Sequence, residues 1–322
     1  RRRGRARHLD PADTVNVVVI GGAGFIGSHL VDRLLTEDHA VDVIDDLSTG
    51  SLANLADARA SGGSLKIHHL DATSREADTL IGMRRPEVVY LVAPIPPSDV
   101  AADEHARAFE LALTTLESVR RHGVGKVVVT VPAMALHGHP SSRALPLKEG
   151  ETSELVPRGV RGVVSRAIID LLVTHRDLDA IEFTVLAMST VYGPRQRVDS
   201  GVVAAFLAAA RTRTAPSIDG DGRQTRDLLY VDDAVDALAR SLDHGGGLVV
   251  NVGTGVQTSI GELWQRLALL VDGAESLSPV HRPQRADELA RFAVSPVRAR
   301  IHLAWSPWTD LDEGLRRLVA DG

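Results

Sequence analysis

Val17-Val18-Val19-Ile20-Gly21-Gly22-Ala23-Gly24-Phe25-Ile26-Gly27 decides how the rest of the chain is read. Four consecutive β-branched residues suit a short strand buried on both faces. Glycines at a GxxGxxG spacing follow at once, and residues 25–35 then carry the apolar period of a helix. In such a strand–turn–helix the first glycine permits the tight turn. The second lets backbone approach a pyrophosphate, and the third lets the helix pack close to the sheet. The helix start then offers free N–H groups and the positive end of its dipole to the phosphates. Gly21, Gly24 and Gly27, with Phe25 and Ile26 between them, are therefore expected to hold a dinucleotide.

An acid at the end of the second strand supports this. Asp45 lies 18 residues past Gly27, close to the spacing at which a carboxylate takes the adenosine ribose hydroxyls. That carboxylate would repel a 2′-phosphate, and no arginine follows in Asp45-Asp46-Leu47-Ser48-Thr49-Gly50, so NAD is favoured over NADP. Asp71, after the third strand, is placed to reach the adenine. Asp46, Ala72, Leu91 and Ala93, at the ends of the neighbouring strands, complete the expected cofactor contacts.

Outward from this turn, β and α patterns alternate. Strands are expected over residues 15–20, 41–44, 65–69, 87–92, 126–131 and 181–186, and helices over 25–35, 100–121 and 163–175. The second helix ends at His122-Gly123, a basic last turn followed by a glycine stop. The alternation implies right-handed βαβ crossovers and an α/β, doubly wound parallel sheet of the Rossmann kind. Residues 15–190 are expected to form this domain, with 227–257 returning to it. Residues 191–226 and 258–322 are expected to form a smaller substrate-binding lobe, and residues 1–14 a disordered basic tail.

Bulk properties exclude several classes. A net charge of −6 over 322 residues gives no reason to expect nucleic acid or an anionic membrane as partner. The absence of cysteine rules out disulfides, thiolate metal sites and cysteine nucleophiles, and fits a reducing cytoplasm. The opening Arg-Arg-Arg-Gly-Arg-Ala-Arg has no apolar segment behind it and does not read as a secretory signal. No apolar run approaches the ~18 residues that span a bilayer, and no metal site is expected.

The residues now resemble the extended short-chain dehydrogenase/reductase family, most closely its NAD-dependent nucleotide-sugar epimerases and dehydratases of the UDP-glucose 4-epimerase kind. The likeness runs through GGAGFIGSHL and DDLSTG, Val191-Tyr-Gly-Pro-Arg-Gln196, Gly220-Asp-Gly-Arg-Gln-Thr-Arg-Asp-Leu-Leu-Tyr-Val-Asp-Asp233 and Asn251-Val-Gly-Thr-Gly255. It implies NAD in the first domain and a UDP- or dTDP-linked sugar under the second lobe. On the matched motifs Arg226 and Arg285 would contact the diphosphate and Thr190 the substrate, and Arg166 would hold the nicotinamide ribose. Guanidinium groups suit that role, offering paired planar donors to phosphate oxygens. Relatives commonly dimerise through the two helices flanking the catalytic segment, so a homodimer is expected.

The resemblance breaks at its chemistry. The family removes a sugar hydroxyl proton with the tyrosine of a Tyr-x-x-x-Lys pair, helped by a serine or threonine. Here Gly162 stands at the tyrosine position, Arg166 at the lysine position and Ala133 at the serine position. The residues four beyond Tyr90, Tyr192 and Tyr230 are Pro94, Gln196 and Ala234, so no Tyr-x-x-x-Lys exists in the chain. Glycine cannot transfer a proton, and arginine never loses one. His137, His139 and Ser165 are the candidate substitutes, His137 foremost. Three functions stay open: a nucleotide-sugar enzyme with a non-standard active site; a catalytically inactive protein that binds NAD and a sugar nucleotide in a structural or regulatory role; and, with the Arg226 segment structural, a cofactor-binding sensor of unrelated ligands.

Overall fold

Alternate side chains of the first strand, β1 (Asn16–Ile20), enter two different cores: Val17 and Val19 on one side, Val18 and Ile20 on the other. A strand buried on both faces belongs inside a parallel sheet. The computed structural model describes residues 14–93, 95–96, 101–138, 140–150, 157, 159–284 and 288–321. In it β1 is joined by β2 (Ala40–Asp45), β3 (Leu65–His69), β4 (Val88–Leu91), β5 (Lys126–Pro132) and β6 (Glu182–Met188). Later strands are β7 (Thr190–Tyr192), β8 (Ser217–Asp219), β9 (Thr225–Arg226), β10 (Leu228–Tyr230), β11 (Leu248–Val252), β12 (Thr258–Ser259) and β13 (Val280–Arg282). The central sheet has the order β3-β2-β1-β4-β5-β6-β11 and is parallel throughout.

Helices cover both faces. They run α1 (Phe25–Thr36), α2 (Ala56–Ala60), α3 (Arg75–Arg84), α4 (Ala102–His122), α5 (Ala133–His137), α6 (Gly159–Asp179), α7 (Val202–Arg211), α8 (Val231–Arg240), α9 (Ile260–Ala268), α10 (Val297–His302) and α11 (Leu311–Ala320). One face packs against Leu80 and Ile81 of α3, Leu116 and Val119 of α4, and Ile168, Ile169 and Leu172 of α6. The other packs against Leu30, Val31 and Leu34 of α1 and Ala237 and Leu238 of α8. A third core, built on Phe206, Trp264, Leu263 and Leu315, serves the later segments.

The structure departs from the sequence expectations at several elements, including the unexpected short helices α2 and α5. The sheet has a seventh strand, β11, which the 227–257 segment contributes along with α8. Helix α3 was not expected, because its ten residues carry little apolar periodicity; Ser74 caps it by accepting from the Ala77 amide. Helix α6 begins at Gly159 rather than at 163. Gly159-Val160-Arg161-Gly162 is a weak helix-forming run, and packing of its Gly162 against α5 holds it in place.

Buried Asp227 ties the later segments to the sheet. One carboxylate oxygen accepts from the Thr254 amide and hydroxyl at 2.8 and 2.7 Å, the other from the Gly255 and Val294 amides at 3.0 and 3.1 Å. Burial pushes its pKa up against the pull of these donors. Asp227→Asn keeps one acceptor and turns an amide N–H₂ toward either the Thr254 amide and hydroxyl or the Gly255 and Val294 amides. It should lose about 2–4 kcal/mol of stability in urea unfolding, as expected where buried donors lose their partner.

Candidate active site

The glycines of the first turn have different reasons to be glycine. Gly21 has φ +82°, and a Cβ there would stand 3.0 Å from the Ala93 amide nitrogen. A Cβ on Gly27 would lie 2.1 Å from the Gly21 carbonyl oxygen. Gly24 adopts an extended φ of −75°, and within 4 Å a Cβ there would meet only the Gly21 oxygen, at 3.2 Å. The fold thus demands Gly21 and Gly27, whereas Gly24 leaves an open cradle at the start of α1. That space, with the helix amides facing it, fits a pyrophosphate. Phe25 and Ile26 are half-buried there, Phe25 against the third core and Ile26 against the α1 face of the sheet.

Asp45 is 8% exposed and accepts from the Ala23 and Leu47 amides, both at 2.8 Å. Its carboxylate is thereby fixed beside the phosphate turn, and burial raises its pKa. Burial works the same way on Asp46, but the Ser48 hydroxyl and amide and the Arg107 guanidinium hold that carboxyl below its usual range. Arg107, from α4, reaches both Asp46 at 2.8 Å and Asp71 at 3.0 Å. It is an unexpected member of this acidic cluster, separated from its partners by 61 and 36 residues. Asp71 also accepts from the Thr73 amide and hydroxyl. Ala72 is half-buried, Leu91 closes β4, and Ala93 lies against Gly21.

Around the catalytic segment the expected residues are already engaged. Ala133 is fully buried at the start of α5. His137 Nε2 lies 2.8 Å from Asn251 Oδ1, while Asn251 Nδ2 donates to the Leu147 carbonyl. The histidine Nε2 therefore carries the hydrogen, and burial lowers its pKa, leaving the ring neutral near pH 7. Ser165 is buried and gives its hydroxyl proton to the Arg161 carbonyl one turn back. Arg166 pairs with Asp170 at 2.9 Å. At Gly162 a Cβ would stand 2.5 Å from the Ala135 carbonyl oxygen, so α5 backbone fills the place from which a side chain would project. His139 lies outside the described residues.

The tyrosines and lysines of the chain lie elsewhere and are held in other ways. Tyr90, Tyr192 and Tyr230 are 0, 1 and 2% exposed, and burial raises every one of their pKa values, that of Tyr230 to about 12. A base needs the opposite shift. Lys126 is buried at the far end of β5, its pKa lowered to about 8 by desolvation, and donates to the His244 carbonyl at 2.7 Å. Lys66 and Lys148 are exposed.

Arg226, in β9, donates to the Thr225 and Leu289 carbonyls and forms an ion pair with Glu288. Thr190 opens β7, its amide bound to the Asp227 carbonyl at 2.9 Å. Arg285 lies outside the described residues. No group of three or more metal-ligating side chains occurs among the described residues, and no helix among them is long and apolar enough to cross a membrane.

Residues 17–253 match the model of the NAD dependent epimerase/dehydratase family. A UDP-glucose 4-epimerase of Mycolicibacterium smegmatis is 35% identical over 318 residues, covering 95% of this chain and 97% of that relative. The chain belongs to the NAD dependent epimerase/dehydratase family. A putative UDP-glucose 4-epimerase of Methanocaldococcus jannaschii is 30% identical, covering 94% of this chain and 97% of its own length. Among solved structures, the Thermotoga maritima UDP-glucose 4-epimerase with UDP-glucose superposes with a TM-score of 0.87 at 30% identity, over 95% of this chain and 97% of that one. The Thermus thermophilus UDP-glucose 4-epimerase in complex with NAD gives 0.82 at 27% identity, over 95% and 98%. The cofactor of this family is NAD, and the open cradle at Gly24 and the fixed carboxylate of Asp45 fit it.

These roles separate by substitution. Gly24→Ala should leave thermal stability nearly unchanged while weakening NAD about tenfold or more, since its methyl enters the cradle. Gly27→Ala should cost about 1–3 kcal/mol of stability by overpacking. Calorimetric titration and thermal melts on the two variants read both effects. In the same titrations NADPH should bind the parent protein clearly more weakly than NADH, and equal binding would remove Asp45 as the selecting group.

Proposed function

We propose that this protein holds NAD together with a UDP- or dTDP-linked sugar, and that it does not perform the family's tyrosine-based proton transfer. It is a binding member of an enzyme family, with a structural or regulatory role. The observation that carries this reading is the close approach of the Ala135 carbonyl to Gly162, 2.5 Å from where a Cβ would be. The position matched to the catalytic tyrosine is closed by backbone, beyond the mere loss of a phenol. Bound NAD supplies a hydride acceptor for a sugar carbon, and that step needs a base to take the hydroxyl proton. Loss of such a base slows reactions by ~10²–10⁴. Here Arg166 keeps a permanent positive charge, Ser165 donates its proton to the Arg161 carbonyl, and burial weakens His137 as a base by lowering its pKa while its Nε2–H is held by Asn251.

Sugar-nucleotide binding rests on the intact segment 220–233 and on Arg226, whose guanidinium is oriented by Glu288 and two carbonyls. Helices α4 and α6 pack side by side and carry exposed Leu113, Val160 and Val163; a homodimer would cover them. The absence of cysteine agrees with a cytoplasmic location.

Two measurements test the proposal. With NAD and a panel of UDP-, dTDP- and GDP-sugars, product formation should stay far below a rate on the order of 1 s⁻¹. Turnover at that rate, abolished in His137→Ala with NAD binding intact, would establish the histidine as a replacement base and overturn the reading. UDP or dTDP should raise the melting temperature of the NAD-loaded protein. The double variant Arg226→Ala, Glu288→Ala should respond less, because it removes the guanidinium without stranding its carboxylate. Analytical ultracentrifugation should find a dimer, and a monomer in Leu113→Glu, Val163→Glu.

A further inference from the structure

Arg161 immediately precedes Gly162 in the first turn of α6. Positions 161, 165, 168 and 172 share one flank of the helix, and Ser165, Ile168 and Leu172 are all buried. The Arg161 side chain therefore leaves the helix on its inward side. Its Nε is buried and has no hydrogen-bond partner. The two terminal nitrogens are not among the buried unpartnered atoms, so the guanidinium is rooted in the interior with its fork toward accessible space. Among the described residues no carboxylate acts on it; desolvation does, working against the charge. This is notable in a chain with 42 acidic residues against 36 basic ones. A desolvated cation without a partner is costly, and arginine cannot shed its proton to escape that cost.

Its position says where a partner would come from. As the crossover between β5 and β6, α6 starts at the C-terminal rim of the sheet, the rim at which ligands of such sheets bind. The adjacent Gly162 lies against α5, which continues directly from the end of β5. The arginines matched to the diphosphate, Arg226 and Arg285, belong to the later segments. Arg161 is instead beside the residue matched to the family tyrosine, where the sugar would lie.

We infer that Arg161 receives an oxyanion carried by the sugar, so that the ligand is a nucleoside-diphosphate sugar bearing a carboxylate, a hexuronate rather than a neutral hexose. The planar fork of arginine matches a carboxylate in paired hydrogen bonds. A phosphate of the nucleotide has the same chemistry and is the competing source. This inference rests on the nucleotide-sugar reading above.

The test titrates NAD-loaded protein with UDP-glucuronate, UDP-glucose and UDP. UDP-glucuronate should bind about tenfold or more tighter than UDP-glucose. Arg161→Gln should erase that difference and leave UDP unchanged. A second readout needs no ligand: Arg161→Met should keep or raise the melting temperature, since it removes an unpaired charge from the interior. Equal affinity for the two sugars overturns the assignment. So does a loss of UDP affinity in Arg161→Gln, which would make the anion a phosphate. A melting temperature several degrees lower in Arg161→Met overturns it as well, by revealing a partner within the fold. Failure of UDP itself to bind the parent protein would sink the nucleotide-sugar reading, whereas UDP binding without a carboxylate preference removes Arg161 alone.

Discussion

The buried carboxylate of Asp227 is the constraint on which the later half of the chain depends. Four donors from residues 254, 255 and 294 converge on its two oxygens. The loop that follows the edge strand β11 and the segment that leads into α10 are thereby fixed to the junction between β9 and β10, which pair with β12 and β7 respectively. The same strands carry Arg226, and the Asp227 carbonyl takes the Thr190 amide. A group so far from solvent is useful only while every donor is present, because the interior offers no water to replace one. Asp233, in the first turn of α8, acts similarly, accepting from the Trp308 and Thr309 amides and the Thr309 hydroxyl, with burial raising its pKa to about 6.

What could be read from the sequence was what short-range chemistry encodes. Gly21, Gly24 and Gly27 after a β-branched strand, and Asp45 at the end of the next, announce themselves by spacing. The six strands and three helices read from the first 190 residues occur in the structure, with ends shifted by a few residues. Helix α3 could have been found from its ends, since Ser74 precedes it and Glu76 and Asp78 occupy its first turn; its apolar pattern alone was too weak. The seventh strand is a matter of topology, since nothing local in Leu248–Val252 says that it pairs with β6.

In the candidate site the glycine turn and the carboxylate beside it were legible, and the rest was opaque because its contacts are long-range ion pairs and hydrogen bonds. Arg107 reaches two aspartates from another helix, and Glu288 meets Arg226 across 62 residues. With so many arginines in the chain, no periodicity marks these two. The sequence did show that the tyrosine and lysine are missing. It could not show that the three remaining tyrosines are locked in cores, or that His137 and Ser165 already have partners. Those facts come from burial, and burial is decided by the whole fold.

The approach of α5 backbone to Gly162 also bears on how such a site can change over generations. A side chain that has been lost normally leaves a hole, and one substitution can refill it. At Gly162 the place of a side chain is taken by the Ala135 carbonyl group, with Pro157 packed 3.1 Å from the same point. Any larger residue must first displace main chain that is shared with buried Ala133 and Leu136. On the reading proposed for position 162, introducing a larger side chain by single mutation would pass through a less stable protein, so selection for folding alone would keep the glycine.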